Sequence, residues 1–97
     1  MKIKILNSAK DDLKTAFQFY EKQQAGLGKY FLSSLQADID SLHFFAGIHP
    51  IYAEKFYRLL ARRFPYAVYY QVENELVSVY AVLDCRRSPE NNQKRLK

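Results

Sequence analysis

Tryptophan is absent from this 97-residue sequence, cysteine and methionine occur once each, and glycine and proline three times each. Each scarcity excludes something. The lone Cys85 cannot build a disulfide framework or a multi-cysteine zinc site, and it suits a reducing compartment. There is no glycine-rich phosphate loop and no dinucleotide fingerprint. No apolar stretch approaches the ~18 residues a membrane span needs. The start, Met1-Lys2-Ile3-Lys4-Ile5-Leu6, is followed at once by Asn7, Ser8 and Lys10, so it lacks the apolar segment of a signal peptide. Repeats and low-complexity tracts are missing too. His43 and His49 stand six apart with no cysteine or acidic cluster beside them. They read as a surface and a loop histidine, so neither a metal nor any other cofactor is expected.

What is present is aromatic and basic. A chain of this length fits one domain, residues 1–97, and buries only ~60–65% of its unfolded surface. Its core therefore leans on the eight Tyr and seven Phe, each of which buries a large area. The net charge is +5, which favours an anionic partner. That charge is uneven. Residues 1–50 carry six basic and five acidic groups, and residues 51–97 nine and five. The second half is rich in arginine: Arg58, Arg62, Arg63, Arg86, Arg87 and Arg95. A planar guanidinium matches carboxylates and phosphates better than an ammonium does. The Arg62-Arg63 and Arg86-Arg87 pairs flank one expected hairpin, which favours a binding surface over a merely solvated rim.

Periodicity sets the organisation. Lys2 to Leu6 alternates and reads as a short strand. Asn7-Ser8, with Asp11 and Asp12 close behind, supplies N-cap chemistry for a helix over about 8–24. Its apolar face is Ala9, Leu13, Ala16, Phe17 and Tyr20. Gly26 ends it in a left-handed conformation. A second helix, with Phe31, Leu32, Leu35, Ile39 and Leu42 on one face, is expected to run to about Phe45 and to pack antiparallel on the first. Three segments of strand composition follow: Phe56 to Ala61, Tyr66 to Val72 and Leu76 to Leu83. Ser88-Pro89-Glu90 then reads as the cap and first turn of a short polar helix.

The fold class is thus α+β, in the order β-α-α-β-β-β with a small C-terminal helix. The αα-hairpin covers one face of a small, mainly antiparallel sheet. The other face is expected to stay partly open as a basic aromatic groove. Alternation sends Tyr66, Val68, Tyr70 and Val72 to the core and Tyr69 to that second face, where it could stack on a ligand. Asp38 and Asp40 lie on different helical faces, which makes them a solvated pair of charges rather than a catalytic one. Asp84 is placed to orient a neighbouring arginine. Cys85 reads as a buried or half-buried structural residue.

Three stretches carry a family likeness: Leu60 to Tyr70 (LARRFPYAVYY), Val79 to Pro89 (VYAVLDCRRSP), and Tyr20-Glu21 with Gly26-Leu27-Gly28-Lys29-Tyr30-Phe31-Leu32. Together they resemble the RelE/ParE superfamily of type II toxin–antitoxin toxins. The resemblance spans essentially the whole chain and implies a cytoplasmic bacterial toxin held inactive by a small antitoxin. Superfamily members that are similar to RelE cut mRNA in the ribosome, whereas the ParE-like branch poisons DNA gyrase. The ribonucleases share basic side chains on the sheet and a C-terminal aromatic or histidine for proton transfer. Here Ala67 stands where such an arginine would align, and Pro89 to Arg95 contains no aromatic or histidine. Arg87 does match, and would stabilise the phosphate in a ribonuclease, with Lys55 and Arg58 positioning RNA. The resemblance therefore favours a ParE-like, non-enzymatic gyrase inhibitor over a ribosome-dependent endonuclease. The target-binding candidates are Arg58, Arg62, Arg63, Tyr69, Arg86 and Arg87. The antitoxin is expected to carry an acidic, amphipathic segment. Phe19, Phe44 and Phe45, which fall off the core stripes, are its candidate anchors.

Overall fold

A computed structural model describes residues 1–96. The elements are β1 (Lys2–Ile5), α1 (Asn7–Gln23), α2 (Leu27–Asp40), α3 (Leu42–Phe45), β2 (Ile51–Tyr52), β3 (Phe56–Leu60), β4 (Tyr66–Glu73), β5 (Leu76–Asp84) and α4 (Pro89–Arg95). The strands form one sheet in the order β1-β5-β4-β3-β2. β1 pairs parallel with β5 and every other pair is antiparallel. None of the described helices is long and apolar enough to cross a membrane.

The αα-hairpin lies on one face of the sheet, as its two apolar stripes require. Ala9, Ala16 and Tyr20 of α1 and Phe31, Leu35 and Ile39 of α2 are buried with Val68, Tyr70, Val77 and Val79 of the sheet. Leu32, expected on that stripe, is exposed instead. The centre of the core is aromatic. Phe31 stacks on Tyr20 with ring centroids 5.1 Å apart and meets Phe64 and Tyr66 edge-on, each at 5.0 Å. The β4–β5 hairpin turns through Asn74 (φ 51°) and Glu75 (φ 63°), the left-handed pair that a two-residue hairpin loop needs.

The register of β4 and β5 shifts between Tyr69 and Tyr70, whose partners are Ala81 and Val79. Tyr80 is thus an extra residue, and the bulge changes the facing of everything after it. Val77 and Val79 face the helices before the bulge, and Val82 after it. Ala81 and Leu83 face the other way.

That other face is not the open groove the sequence suggests. Phe56, Ala67, Tyr69, Ala81, Leu83 and Leu96 form a second, smaller core there. The C-terminal helix α4 brings Leu96 onto it and so covers part of the sheet. Ser88 caps α4 by accepting the Asn91 N–H at 3.3 Å, as its position before Pro89 implies.

The N-terminus of α1 departs from expectation. Its cap residue is Leu6, with no side-chain cap bond. Ser8 and Asp12 have other partners, because β1 ends while β5 continues. The Ser8 hydroxyl donates to Tyr80 O at 2.7 Å, and Asp12 Oδ2 accepts the Val82 N–H at 3.0 Å. One turn of helix apart, these side chains take over the β5 edge where β1 stops. The second helix also ends earlier than expected, at Asp40. Ser41 turns its hydroxyl onto Asp38 O at 2.6 Å, and the short α3 follows.

The segment from α3 to β2 is held by Tyr70. Its buried hydroxyl accepts the Gly47 N–H at 3.0 Å and lies against His49 Nδ1. With the imidazole neutral and its proton on Nε2, the Tyr70 hydroxyl donates to His49 Nδ1. Burial also lowers the His49 pKa from its usual 6.5. The unfolded chain therefore takes up this proton more readily than the folded one, and stability should fall as pH drops below about 6.5. Thermal melts of the wild type and His49→Gln between pH 7.5 and 5 check this, with the variant expected to lose that slope. Tyr70→Phe leaves the Gly47 donor unpaired and should cost about 1 kcal/mol in urea unfolding.

Candidate interaction surfaces

The β3–β4 loop is pinned from below. Phe64 inserts between Tyr20, Tyr30 and Phe31. The Arg62 N–H donates to Asp38 Oδ2 at 3.2 Å. Asp38 is thus buried and holds this loop, unlike the solvated charge its helical position suggests. With the backbone fixed, the Arg62 and Arg63 side chains are left outside. Arg63 Nη1 donates to the Tyr30 hydroxyl at 2.9 Å, and its guanidinium carbon lies 5.8 Å from the Tyr30 ring centroid.

Arg86 and Arg87 reach the same end of the sheet. Tyr66 pairs with Asp84, and the Cys85 N–H donates to Pro65 O at 2.8 Å. The two arginine pairs, far apart in the chain, therefore flank the same end of the β4–β5 hairpin. They are not equivalent. Asp84 grips Arg86 with both oxygens, at 3.0 Å to Nε and 2.8 Å to Nη2. The bonds from Arg86 hold the Asp84 carboxyl below its ordinary range. Arg62, Arg63 and Arg87 form no salt bridge among the described residues.

Arg87 borders an open cleft of about 610 Å³ between α1 and the end of β5, together with Asp12, Thr15, Phe19, Tyr66 and Arg95. Arg95 reaches from α4 across to α1, with Nη1 and Nη2 at 3.2 and 2.8 Å from the two Asp12 oxygens. Burial raises the Asp12 carboxyl, against the pull of the Val82 N–H and Arg95. Tyr66 is pushed up to about 12, chiefly by burial. At neutral pH its phenol is a proton holder, and both Asp12 oxygens are already engaged. Asp11 and Asp84 line the cleft too, so Arg87 is its one arginine without a salt bridge among the described residues and the cleft carries no excess of positive charge.

Arg58 and Tyr69 belong elsewhere. Both point to the α4 side of the sheet. Tyr69 is 1% exposed, so it cannot stack on an external ligand, and its phenol is raised by that burial. Its ring meets Tyr52 at 5.4 Å. Arg58 lies over Tyr52 at 5.3 Å, its Nη2 donates to Cys85 Sγ at 3.7 Å, and its Nε is buried without a partner among the described residues. This guanidinium is built into the second core and is not displayed with the other four. Lys55 lies in the β2–β3 loop, and its carbonyl accepts from the Gln71 amide at 3.4 Å.

The three off-stripe phenylalanines are exposed but do not form one patch. Phe19 lies on the cleft. Phe44 and Phe45 stand on α3, where His43 bonds the first residue of the chain, and Phe44 is 87% exposed. Ile48, in the loop after α3, and Ile51, on β2 at the opposite edge of the sheet from β1, are exposed as well. The sequence singles out Phe44 and Phe45 but not Ile51, because β2 is only two residues long and carries no alternation.

The Glu21 and Gly26-Leu27-Gly28 motif is structural. The Glu21 carboxylate accepts the N–H groups of Gly26, at 3.0 Å, and Gly28, at 2.9 Å. It thereby satisfies amides at the start of α2, where a negative charge is favourable. These bonds hold the Glu21 carboxyl below its ordinary range.

Residues 3–89 match the family model described as ParE toxin of type II toxin-antitoxin system, parDE. Among solved structures, a chain of the chromosomal ParDE TA system from P. aeruginosa superposes with a TM-score of 0.73 at 16% identity, covering 84% of this chain and 92% of that one. No curated protein matches by sequence.

Proposed function

From the membership of this chain in the ParE toxin family of type II toxin–antitoxin systems, we propose that it arrests growth by binding DNA gyrase and that a cognate antitoxin neutralises it in the bacterial cytoplasm. The observation that carries the binding reading is the rigid display of Arg62 and Arg63. Their loop is anchored by Phe64 and Asp38, and their exposed guanidinium groups form no salt bridge among the described residues, with Arg63 steadied by Tyr30. Arg86 and Arg87 extend this basic end, with Arg86 held in one orientation by Asp84. The same reading is supported at position 67. Ala67, where the resemblance would place a ribonuclease arginine, is buried in the second core.

The test uses purified gyrase, supercoiled plasmid and ATP. The wild-type chain is expected to accumulate linear DNA trapped on gyrase. Arg62→Glu/Arg63→Glu should weaken that effect at least about tenfold, and added salt should weaken the wild type, as exposed charge pairs require. The Asp38 bond uses the Arg62 backbone N–H, so the variant keeps its loop anchor. An unchanged cleavage level with wild type defeats the proposal. Cleavage of mRNA on programmed ribosomes, abolished by Arg87→Ala, would put the endonuclease reading in its place.

A further inference from the structure

The β4–β5 hairpin carries its charge unevenly. Its open end is closed by one bond, from the Cys85 N–H to Pro65 O at 2.8 Å. Arg62, Arg63, Arg86 and Arg87 all branch from the chain within three residues of that bond. The turn at the other end is flanked by Glu73 and contains Glu75. β5 runs between the two ends from Leu76 to Asp84, a separation of roughly 25 Å. Few acids offset the arginines locally. Asp84 is taken up by Arg86, and Asp38 by the Arg62 backbone N–H. Arg87 lies in the field of Asp12 and Asp84. Arg62 and Arg63 have no acidic partner among the described residues.

Like charges held this close repel one another, and the fixed loop keeps Arg62 and Arg63 from separating far. An anion with repeating charge answers several of them at once. A duplex offers one phosphate charge per ~1.7 Å of its axis, and the guanidinium fork fits a phosphate. A single carboxylate answers only one, as Asp84 does for Arg86. The rings argue against a single strand, whose binders present open aromatic faces for bases to stack on. The Tyr30 ring carries Arg63, Phe64 is inserted among Tyr20, Tyr30 and Phe31, and Tyr66 and Tyr69 are buried. The arginines stand on loops rather than on a helix or ribbon that could enter a groove. They are therefore suited to the backbone and not to the base edges.

We propose that this end of the hairpin binds the phosphate backbone of duplex DNA, without regard to sequence, through Arg62, Arg63 and Arg87. Arg86 contributes least, because Asp84 already pairs it. The proposal rests on the gyrase reading above for its setting: the chain meets gyrase while the enzyme holds DNA, and these arginines touch the nucleic acid rather than the protein. The lopsided charge also sets the orientation. Glu73 and Glu75 are repelled by the phosphates, so the arginine end approaches first.

Fluorescence anisotropy of the full chain on two labelled duplexes of unrelated sequence tests this, without gyrase. Three phosphate contacts predict equal affinity for both duplexes and a slope of log K against log salt of about −2.7, which is about a fortyfold loss between roughly 50 and 200 mM salt. Arg62→Gln/Arg63→Gln should bring the slope to about −0.9, and Arg87→Gln to about −1.8. Arg62→Lys/Arg63→Lys should keep it, and Arg86→Gln should change it little. The control is Lys2→Gln/Lys4→Gln. It removes the same net charge from β1, where Lys2 pairs with Leu76 at the far end of β5, and should leave the slope unchanged. Equal weakening by the two Gln pairs would mean attraction by net charge alone and overturns the proposal, as does the absence of binding at the lowest salt. Capture of gyrase without DNA, lost in the Arg62→Gln/Arg63→Gln variant, would assign the arginines to an acidic protein surface; that overturns the DNA proposal and leaves the gyrase reading standing. DNA binding with the expected slopes but no effect on gyrase cleavage overturns the gyrase reading and keeps the DNA-binding end.

Discussion

Phe31→Ala should cost the domain about 3–5 kcal/mol in urea unfolding at 25 °C. Phe31 is fully buried and is the junction of three parts of the molecule. It stacks on Tyr20 of α1, meets Tyr66 of β4, and receives Phe64 of the β3–β4 loop. Truncation removes the transfer energy of a phenyl group and opens a cavity walled by three large rings. Those rings cannot collapse inward without leaving Tyr30, Phe19 or the sheet, to which they are also packed. A domain of this size has roughly 5–15 kcal/mol in total, so the variant should be marginal at 37 °C. The same change should loosen the loop that carries Arg62 and Arg63, because Phe64 would lose its main contact. Phe19→Ala is the control: it removes an aromatic of the same size from a half-exposed site and should cost much less. A Phe31→Ala loss below about 1 kcal/mol would mean that the aromatic cluster is not what joins the hairpin, sheet and loop.

That cluster was legible in the sequence only in part. The spacing of Ala16 and Tyr20, and of Phe31, Leu35 and Ile39, marks two buried helical stripes, and the alternation of Tyr66, Val68 and Tyr70 marks the sheet face they meet. Period alone reveals these because each element buries one face along its whole length. Phe64 could not be placed that way, since a loop residue has no period. The same limit hid the roles of Ser8, Asp12 and Asp38. They bond backbone groups distant in sequence, and only the tertiary fold shows which groups β1 and the β3–β4 turn leave unpaired. Tyr69 was assigned to the correct face, but that face is covered. The cover comes from α4, a mostly polar helix whose apolar contribution is Leu96 just beyond its last turn. Composition gives little warning of such a lid. The bulge at Tyr80 was equally silent in the sequence, because the residues on both sides of it suit a strand whichever way they face.

Gly28→Ala should destabilise the chain by about 1–3 kcal/mol through overpacking, although alanine is the better helix former. A Cβ at position 28 would lie 2.8 Å from both Phe17 O and Phe17 Cδ1, and 2.9 Å from Glu21 Oε1. The carbonyl belongs to the α1 backbone and cannot step aside, so α1 and α2 must separate at their junction. Gly26 gives a contrasting case. Nothing lies within 4 Å of a Cβ there, but its φ is +90°, so Gly26→Ala suffers from backbone conformation rather than from contact. Glu21 links the two positions, because its carboxylate accepts from both amides. Its folded pKa lies below its usual 4.5, so its contribution is present above that value and is lost as pH falls through the depressed one. Glu21→Gln should therefore flatten the acid limb of the stability curve measured by urea unfolding from pH 7 to 3. Gly28→Ala should flatten it too if the added methyl pushes the carboxylate off the Gly28 N–H. The double variant should then lose less than the sum of the two single losses, since both break the same contact. Strict additivity would show instead that Gly28 serves only the close approach of the helices and that Glu21 keeps its depressed pKa without the Gly28 N–H.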